Sequence, residues 1–174
     1  EEKFIRHFER MGIPKSSFQR LFNPPKQEMG VDIGRLTRYS EDWYTILTCL
    51  GLCARAQMNR FYSFETVVKF YNTATGLDIT PEILRNAAER TWNLLRIMNA
   101  KEGFTKEDDK FPKEWFNPLK YGDHQLEFKN FQGDVKITQE LAEILLQHYY
   151  DERGWDPQTG HPSKEKIKEL QLDN

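Results

Sequence analysis

The sequence predicts an all-α protein, an irregular multi-helix domain with one long loop excursion over about residues 103–136. Three observations carry that reading. Apolar residues recur at three- and four-residue intervals through most of the chain, the spacing of one helix face. The segments so marked open on Ser or Thr and close on Gly, residue types that satisfy the loose backbone groups at helix ends. Period-two alternation, the mark of a half-buried strand, is nearly absent, and only residues 135–137 read as a short strand.

Taken in order, Phe4, Phe8 and Met11 stand at i, i+4 and i+7 with Ile5 beside them, and Gly12 follows where a left-handed residue would end the helix. Residues 16–22 form a short turn-rich stretch that stops at Asn23-Pro24-Pro25. Two prolines and two glycines make residues 23–34 an irregular loop. A helix then starts at Ser40 as N-cap, with Glu41 and Asp42 in its first turn and Trp43, Ile46, Leu47 and Leu50 facing inward. Gly51 breaks or kinks it. Residues 64–75 form a helix with Val67, Val68 and Tyr71 inward, closed by Gly76.

The clearest helix covers residues 80–99. Thr80 caps it, Pro81 takes the first helical position, where its missing N–H costs nothing, and Glu82 complements the dipole. Ile83, Leu84, Ala87, Ala88, Thr91, Leu94, Leu95 and Met98 make a stripe expected to be fully buried in the central helix of the domain. Trp92 or Asn93 is expected on its flank, free for an interdomain contact. After the excursion, residues 138–153 return to helix. Ile137 is placed to staple onto Ala142, Leu141, Leu145, His148 and Tyr149 face inward, and Gly154 ends the element. Residues 163–170 make a short last helix. No internal repeat is present, and residues 1–174 read as one helical domain.

Lysine and arginine total 25 against 27 aspartate and glutamate, for a net charge of −2. That balance excludes the basic footprint of a dedicated nucleic-acid binder. The longest uncharged stretch, the twelve residues 43–54, is too short to cross a bilayer. Two cysteines do not make a disulfide scaffold, so a reducing, cytoplasmic setting is expected. The chain opens on Glu1-Glu2 without an initiator Met and is expected to be part of a longer polypeptide.

Few residues carry chemistry on their own. His7, His124, His148 and His161 lack the spacing of a zinc site and are expected to be structural or at the surface. The acidic run Glu107-Asp108-Asp109 lacks the alternation and glycine of a calcium loop. No serine sits in a nucleophile elbow, and Gly30 and Gly34 do not complete a dinucleotide-binding fingerprint. Cys49 and Cys53 remain, four residues apart near the end of a helix. Spacing alone favours two buried thiols acting as small hydrophobes, because a zinc or iron–sulfur site needs four ligands.

Motif order changes the reading of Cys53. Ser40-Glu41-Asp42-Trp43-Tyr44, then Leu50-Gly51-Leu52-Cys53, resembles the C-terminal region of the tungsten-containing aldehyde ferredoxin oxidoreductase family. The resemblance continues through Tyr71, Thr75-Gly76, Glu89-Arg90-Thr91-Trp92-Asn93-Leu94, Arg96 and Asn99. It goes on with Glu102-Gly103-Phe104-Thr105, Asp108-Asp109 and Pro112. It ends with the run from Tyr149 to Asp156, Gly160, Pro162, Lys166 and Glu169-Leu170.

The resemblance implies a C-terminal helical domain of a larger enzyme that oxidises aldehydes to carboxylic acids, with ferredoxin as electron acceptor. It implies a four-iron four-sulfur cluster shared with upstream residues and a tungsten (or molybdenum) bis-pterin. On that pattern Cys53 is the fourth cluster ligand, and Thr48, Gly51 and Leu52 belong to a loop that contacts one pterin. Cys49 is expected to be a buried apolar thiol. Thr48 departs from the family, which has an acidic residue there, and a hydroxyl accepts hydrogen bonds from pterin N–H groups more weakly than a carboxylate. The catalytic histidine of the family has no assigned counterpart here. The expected partners are the upstream domains of the same polypeptide and ferredoxin, and a homodimer stays open. The surface facing the rest of the enzyme is expected to be apolar and centred on residues 50–54, and the chain alone is expected to be inactive. Two alternatives stand beside this reading. One is the tungsten subunit of a dearomatising aryl-coenzyme A reductase, and the other is a cofactor-free helical interaction module.

Overall fold

The computed structural model describes residues 2–53, 55 and 61–173. Its helices are α1 (Glu2–Arg10), α2 (Phe18–Leu21), α3 (Ile33–Cys49), α4 (Phe64–Thr75), α5 (Pro81–Lys101), α6 (Gln139–Arg153) and α7 (Lys164–Glu169). The excursion between α5 and α6 holds two 3-10 turns, Lys106–Asp109 and Lys113–Phe116, and a small antiparallel hairpin. Its strands β1 (Leu119–Tyr121) and β2 (His124–Leu126) pair Leu119 with Leu126 and Tyr121 with His124. The fold is mostly helical, as predicted. The predicted strand at 135–137 is reduced to a single bridge between Lys129 and Lys136, flanked by hydrogen bonds from Asn130 N–H to the Val135 carbonyl and from Ile137 N–H to the Phe128 carbonyl, with the Val135 and Ile137 side chains in the core.

The caps follow local chemistry. Ser63, Thr80, Thr138 and Ser163 each accept a hydrogen bond from the backbone N–H three residues on. Gly76 and Gly154 close α4 and α6 in the left-handed conformation. Gly12 ends α1 at φ +69°, and a Cβ there would fall 2.4 Å from Cγ of Phe64. The close approach of α4 to this turn therefore demands a glycine as strictly as the backbone angle does.

α3 departs from its predicted start. It begins at Ile33, seven residues before Ser40, and its cap is Asp32, whose carboxylate accepts from Arg35 N–H at 3.1 Å. Ser40 lies inside the helix and donates back to the Leu36 carbonyl. Gly34, read as a loop residue, is instead where α3 crosses α6: a Cβ at that position would stand 2.0 Å from the Leu145 carbonyl oxygen.

α3 lies against both α5 and α6 and is the central helix, a place that the sequence reading assigned to α5. One apolar cluster gathers Phe8, Leu21, Trp43, Leu47, Phe64 and Val67. A second, under α6, gathers Met29, Val135, Ile137, Leu141, Ala142 and Leu145. The stripe on α5 is buried only in part: Leu84 and Ala88 are inside as expected, but Ile83 is 52% exposed, Leu94 46%, Leu95 48% and Met98 55%. Glu89, Asn93 and Arg96 turn inward in place of these four. Burying three polar residues on one helix costs free energy unless each finds a partner, and each does. Glu89 takes Arg38 at 2.7 Å and Lys166 at 3.0 Å, Asn93 accepts from the Trp155 indole at 2.8 Å, and Arg96 clasps Asp109.

Candidate functional site

The last turn of α3 leads into Leu50, the C-cap, and then Gly51 at φ +69°. Leu52 N–H reaches back to the Leu47 carbonyl at 2.8 Å and Gly51 N–H to that of Thr48 at 3.1 Å, which is the double closure of a Schellman end. Leu50 and Leu52 tuck partly against the first core cluster. The tucked leucines anchor the turn, while Thr48, Gly51 and Cys53 stand exposed around it. Ala54 lies outside the described residues.

Cys49 is exposed, which corrects the expectation of a buried thiol. It stands two positions past Leu47, at the last residue of α3. Both cysteines are free thiols. Around Gly51 an added Cβ would meet nothing within 4 Å among the described residues, and its glycine is required by the backbone angle. Among the described residues, large exposed apolar side chains gather on the outer face of α5 and on the hairpin, where Leu119, Tyr121 and Leu126 are open to solvent.

The residues of the family-like runs meet elsewhere, in a buried polar knot joining α3, α5 and α6. Arg153 is wholly buried and donates to Asp42 at 2.6 Å, to Glu41 at 2.8 Å and to the Arg38 carbonyl at 2.9 Å. Burial pushes the Glu41 and Asp42 carboxyls above the usual range, against the pull of Arg153. Tyr149 donates to Glu41 at 2.8 Å and takes the Trp92 indole N–H at 3.1 Å. Burial pushes the Tyr149 hydroxyl pKa upward, so it remains a donor. Trp92 and Asn93 thus face the interior and are not left free on a flank as expected. Arg96 stacks 4.9 Å over the Trp155 ring and donates to the Gly160 carbonyl.

A second set of charges sits at the start of α3. His148 Nδ1 lies 2.5 Å from Asp32, whose carboxylate is fully buried. Glu152 takes hydrogen bonds from Arg20, Arg35 and Tyr39. Among the described residues no group of three or more His, Cys, Asp or Glu side chains is placed to hold a metal ion. Asp108 caps the turn at Thr105, and Asp109 is committed to Arg96 and Tyr150. No described helix is long and apolar enough to cross a membrane.

Residues 4–172 match the family described as aldehyde ferredoxin oxidoreductase, domains 2 and 3, and the chain belongs to that family. Among curated proteins it is similar to the tungsten-containing aldehyde ferredoxin oxidoreductase of Pyrococcus furiosus, 35% identical over 136 residues, which are 75% of this chain and 20% of that protein. The Pyrococcus abyssi enzyme of the same name is 33% identical over 139 residues, 76% of this chain and 20% of the relative. The Pyrococcus horikoshii one is 27% identical over 135 residues, again 76% and 20%. The chain therefore spans about a fifth of the length of the curated relatives it matches. No solved structure matches it.

Sequence reasoning found the Gly51-Leu52-Cys53 turn but missed the inward polar face of α5. Its partners Lys166, Trp155 and Asp109 lie far along the chain, and no local pattern announces them. The order of the family-like runs was the available signal, since those runs are the segments that build the knot.

Proposed function

We propose that this chain is the C-terminal helical domain of a tungsten-pterin, iron–sulfur oxidoreductase that converts aldehydes to carboxylic acids and passes the electrons to ferredoxin. Membership of the family over residues 4–172 is the observation that carries the reading, and the turn after α3 supplies its local chemistry. Cys53 binds one iron of a four-iron four-sulfur cluster, whose other ligands lie upstream in the same polypeptide. The residues present suit that role. Its thiol is exposed at the end of an anchored helix, so a sulfur ligand is offered outward at a defined place. A cubane cluster takes four thiolates, and this chain brings two cysteines in all.

Thr48, Gly51 and Leu52 form the face turned to one pterin. No described residue would touch a Cβ at Gly51, which suits the approach of a flat ring to the backbone. The N–H groups of Leu50, Gly51 and Leu52 are all used by carbonyls of α3, so the turn meets a neighbour mainly through oxygen atoms and the thiol. Those oxygens suit the ring N–H donors of a pterin. The Thr48 hydroxyl gives weaker, uncharged acceptance where the family has a carboxylate. When bound, the cofactor supplies the two-electron chemistry, and this domain positions it and tunes the cluster potential.

Electron paramagnetic resonance of the intact enzyme tests the assignment. Cys53→Ser is expected to abolish or alter the cluster signal, while Cys49→Ser leaves it nearly unchanged. The reverse pattern overturns it. The 174-residue chain alone, given iron and sulfide anaerobically, is expected to show no aldehyde-dependent viologen reduction.

A further inference from the structure

We propose that the open cavity bordered by α3, α5, α6 and the excursion is a binding site for a neutral aromatic alcohol or phenol, separate from the turn at Cys53. Its volume is about 540 Å³, within the range of pockets that take small organic molecules. The lining is mostly apolar and rich in aromatic rings, from Trp92, Phe111, Phe128 and Trp155, with Ile137 and Leu145 beside them. Phe111 and Phe128 are held against each other and against Trp115 and Phe116 by ring contacts of 5.5–6.5 Å, so the excursion presents a fixed wall. No residue from 48 to 53 lines it.

Polarity is confined to a few groups, and these select the ligand. Glu41 lines the cavity with one carboxylate oxygen, Oε2, held by Tyr149 and Arg153. Its other oxygen has no hydrogen-bond partner among the described residues and is left to accept. The lining groups Arg96 and Asp109 are satisfied by each other. An open carboxylate oxygen in an aromatic box calls for a hydrogen-bond donor on a flat apolar body. An anion would face Glu41 and Asp109. A cation would add charge to a site where Glu41 and Asp109 are already matched by Arg153 and Arg96, and burying uncompensated charge is costly. A neutral hydroxyl meets neither penalty.

The test is calorimetric titration of the 174-residue chain at pH 7 with 2-naphthol, 2-methoxynaphthalene and 2-naphthoate, which share one ring system and differ in donor and charge. The expected result is saturable one-to-one binding of 2-naphthol, at least fivefold weaker binding of the methyl ether, and none of the carboxylate. In Glu41→Gln the preference for 2-naphthol over its ether is expected to fall below twofold. Leu95→Trp fills the rim from a half-exposed position with little threat to folding and is expected to block both neutral probes. Circular dichroism establishes that each variant is folded. The proposal is overturned by an absence of saturable 2-naphthol binding to the folded chain, by equal or tighter binding of 2-naphthoate, or by a folded Leu95→Trp chain that binds 2-naphthol unchanged.

Discussion

Arg153 on α6 reaches through the core to Asp42 on α3, 2.6 Å away and 111 residues earlier, with its own side chain wholly buried. The same guanidinium holds Glu41 and the Arg38 carbonyl, so one residue ties two helices at side-chain and backbone level. Its Nε has no hydrogen-bond partner among the described residues, so part of the desolvation cost is uncompensated. The knot is better read as a device that fixes how α3 meets α6 than as a large source of stability.

That reading has a sharp mutational signature. Arg153→Ala takes the main cation from the buried Asp42 and the partly buried Glu41, leaving Asp42 with Arg38 at 3.4 Å, and is expected to destabilise the chain by about 3–5 kcal/mol in chemical denaturation. Replacing Arg153, Asp42 and Glu41 together by apolar residues of similar volume is expected to recover most of that loss. A triple variant no more stable than Arg153→Ala would show that the charges themselves stabilise the fold.

Stability should also depend on acidity through Glu152. Burial alone would raise its carboxyl, but hydrogen bonds from Arg20, Tyr39 and Arg35 dominate and hold it at about 2 against an ordinary 4.5. A depressed folded-state value means the contribution is full above pH 4.5 and is lost as pH falls toward 2. Denaturation midpoints of the wild type are expected to fall across that window more steeply than those of Glu152→Gln. Parallel pH profiles would contradict the assignment.

The divided stripe of α5 gives the third expectation. Leu84 is buried and its truncation to alanine should cost about 2–5 kcal/mol. Leu94, nearly half exposed, should cost under about 1 kcal/mol in this chain, although its spacing marks it as core. Thermal denaturation of the two single variants distinguishes the two faces, and a larger loss at Leu94 would return its stripe to the interior.

Local signals made much of this fold legible. Thr80-Pro81, Ser63, Thr138 and Ser163 announce helix starts because a cap is satisfied within three residues of itself. Gly12, Gly76 and Gly154 announce ends for the same reason. The start of α3 was hidden because Gly34 carries a loop signal locally while its purpose is tertiary, room for the Leu145 carbonyl. The orientation of α5 was hidden because periodicity ranks aliphatic residues as inward and cannot see that Glu89, Asn93 and Arg96 have partners brought by distant segments. At the candidate site, the Gly51-Leu52-Cys53 turn was readable as a motif. The exposure of Cys49 was not, since it depends on what neighbouring elements leave uncovered.

The way α3 is held has a mechanical consequence. The helix has 17 residues and is roughly 25 Å long. It is clamped at its first turn by Asp32 and His148, in its first half by Gly34 against α6, at its middle by Arg153, and last by Ile46 and Leu47. Beyond Leu47 only Thr48 and Cys49 remain of the rod, and its tip is the Cys53 turn, which Leu50 and Leu52 tie to the first core cluster. A tilt of a few degrees at the clamps becomes a lateral displacement at that tip, without any change in the tip's own residues. Substitutions in the interior around Asp42 are thus able to retune what Cys53 touches by leverage alone.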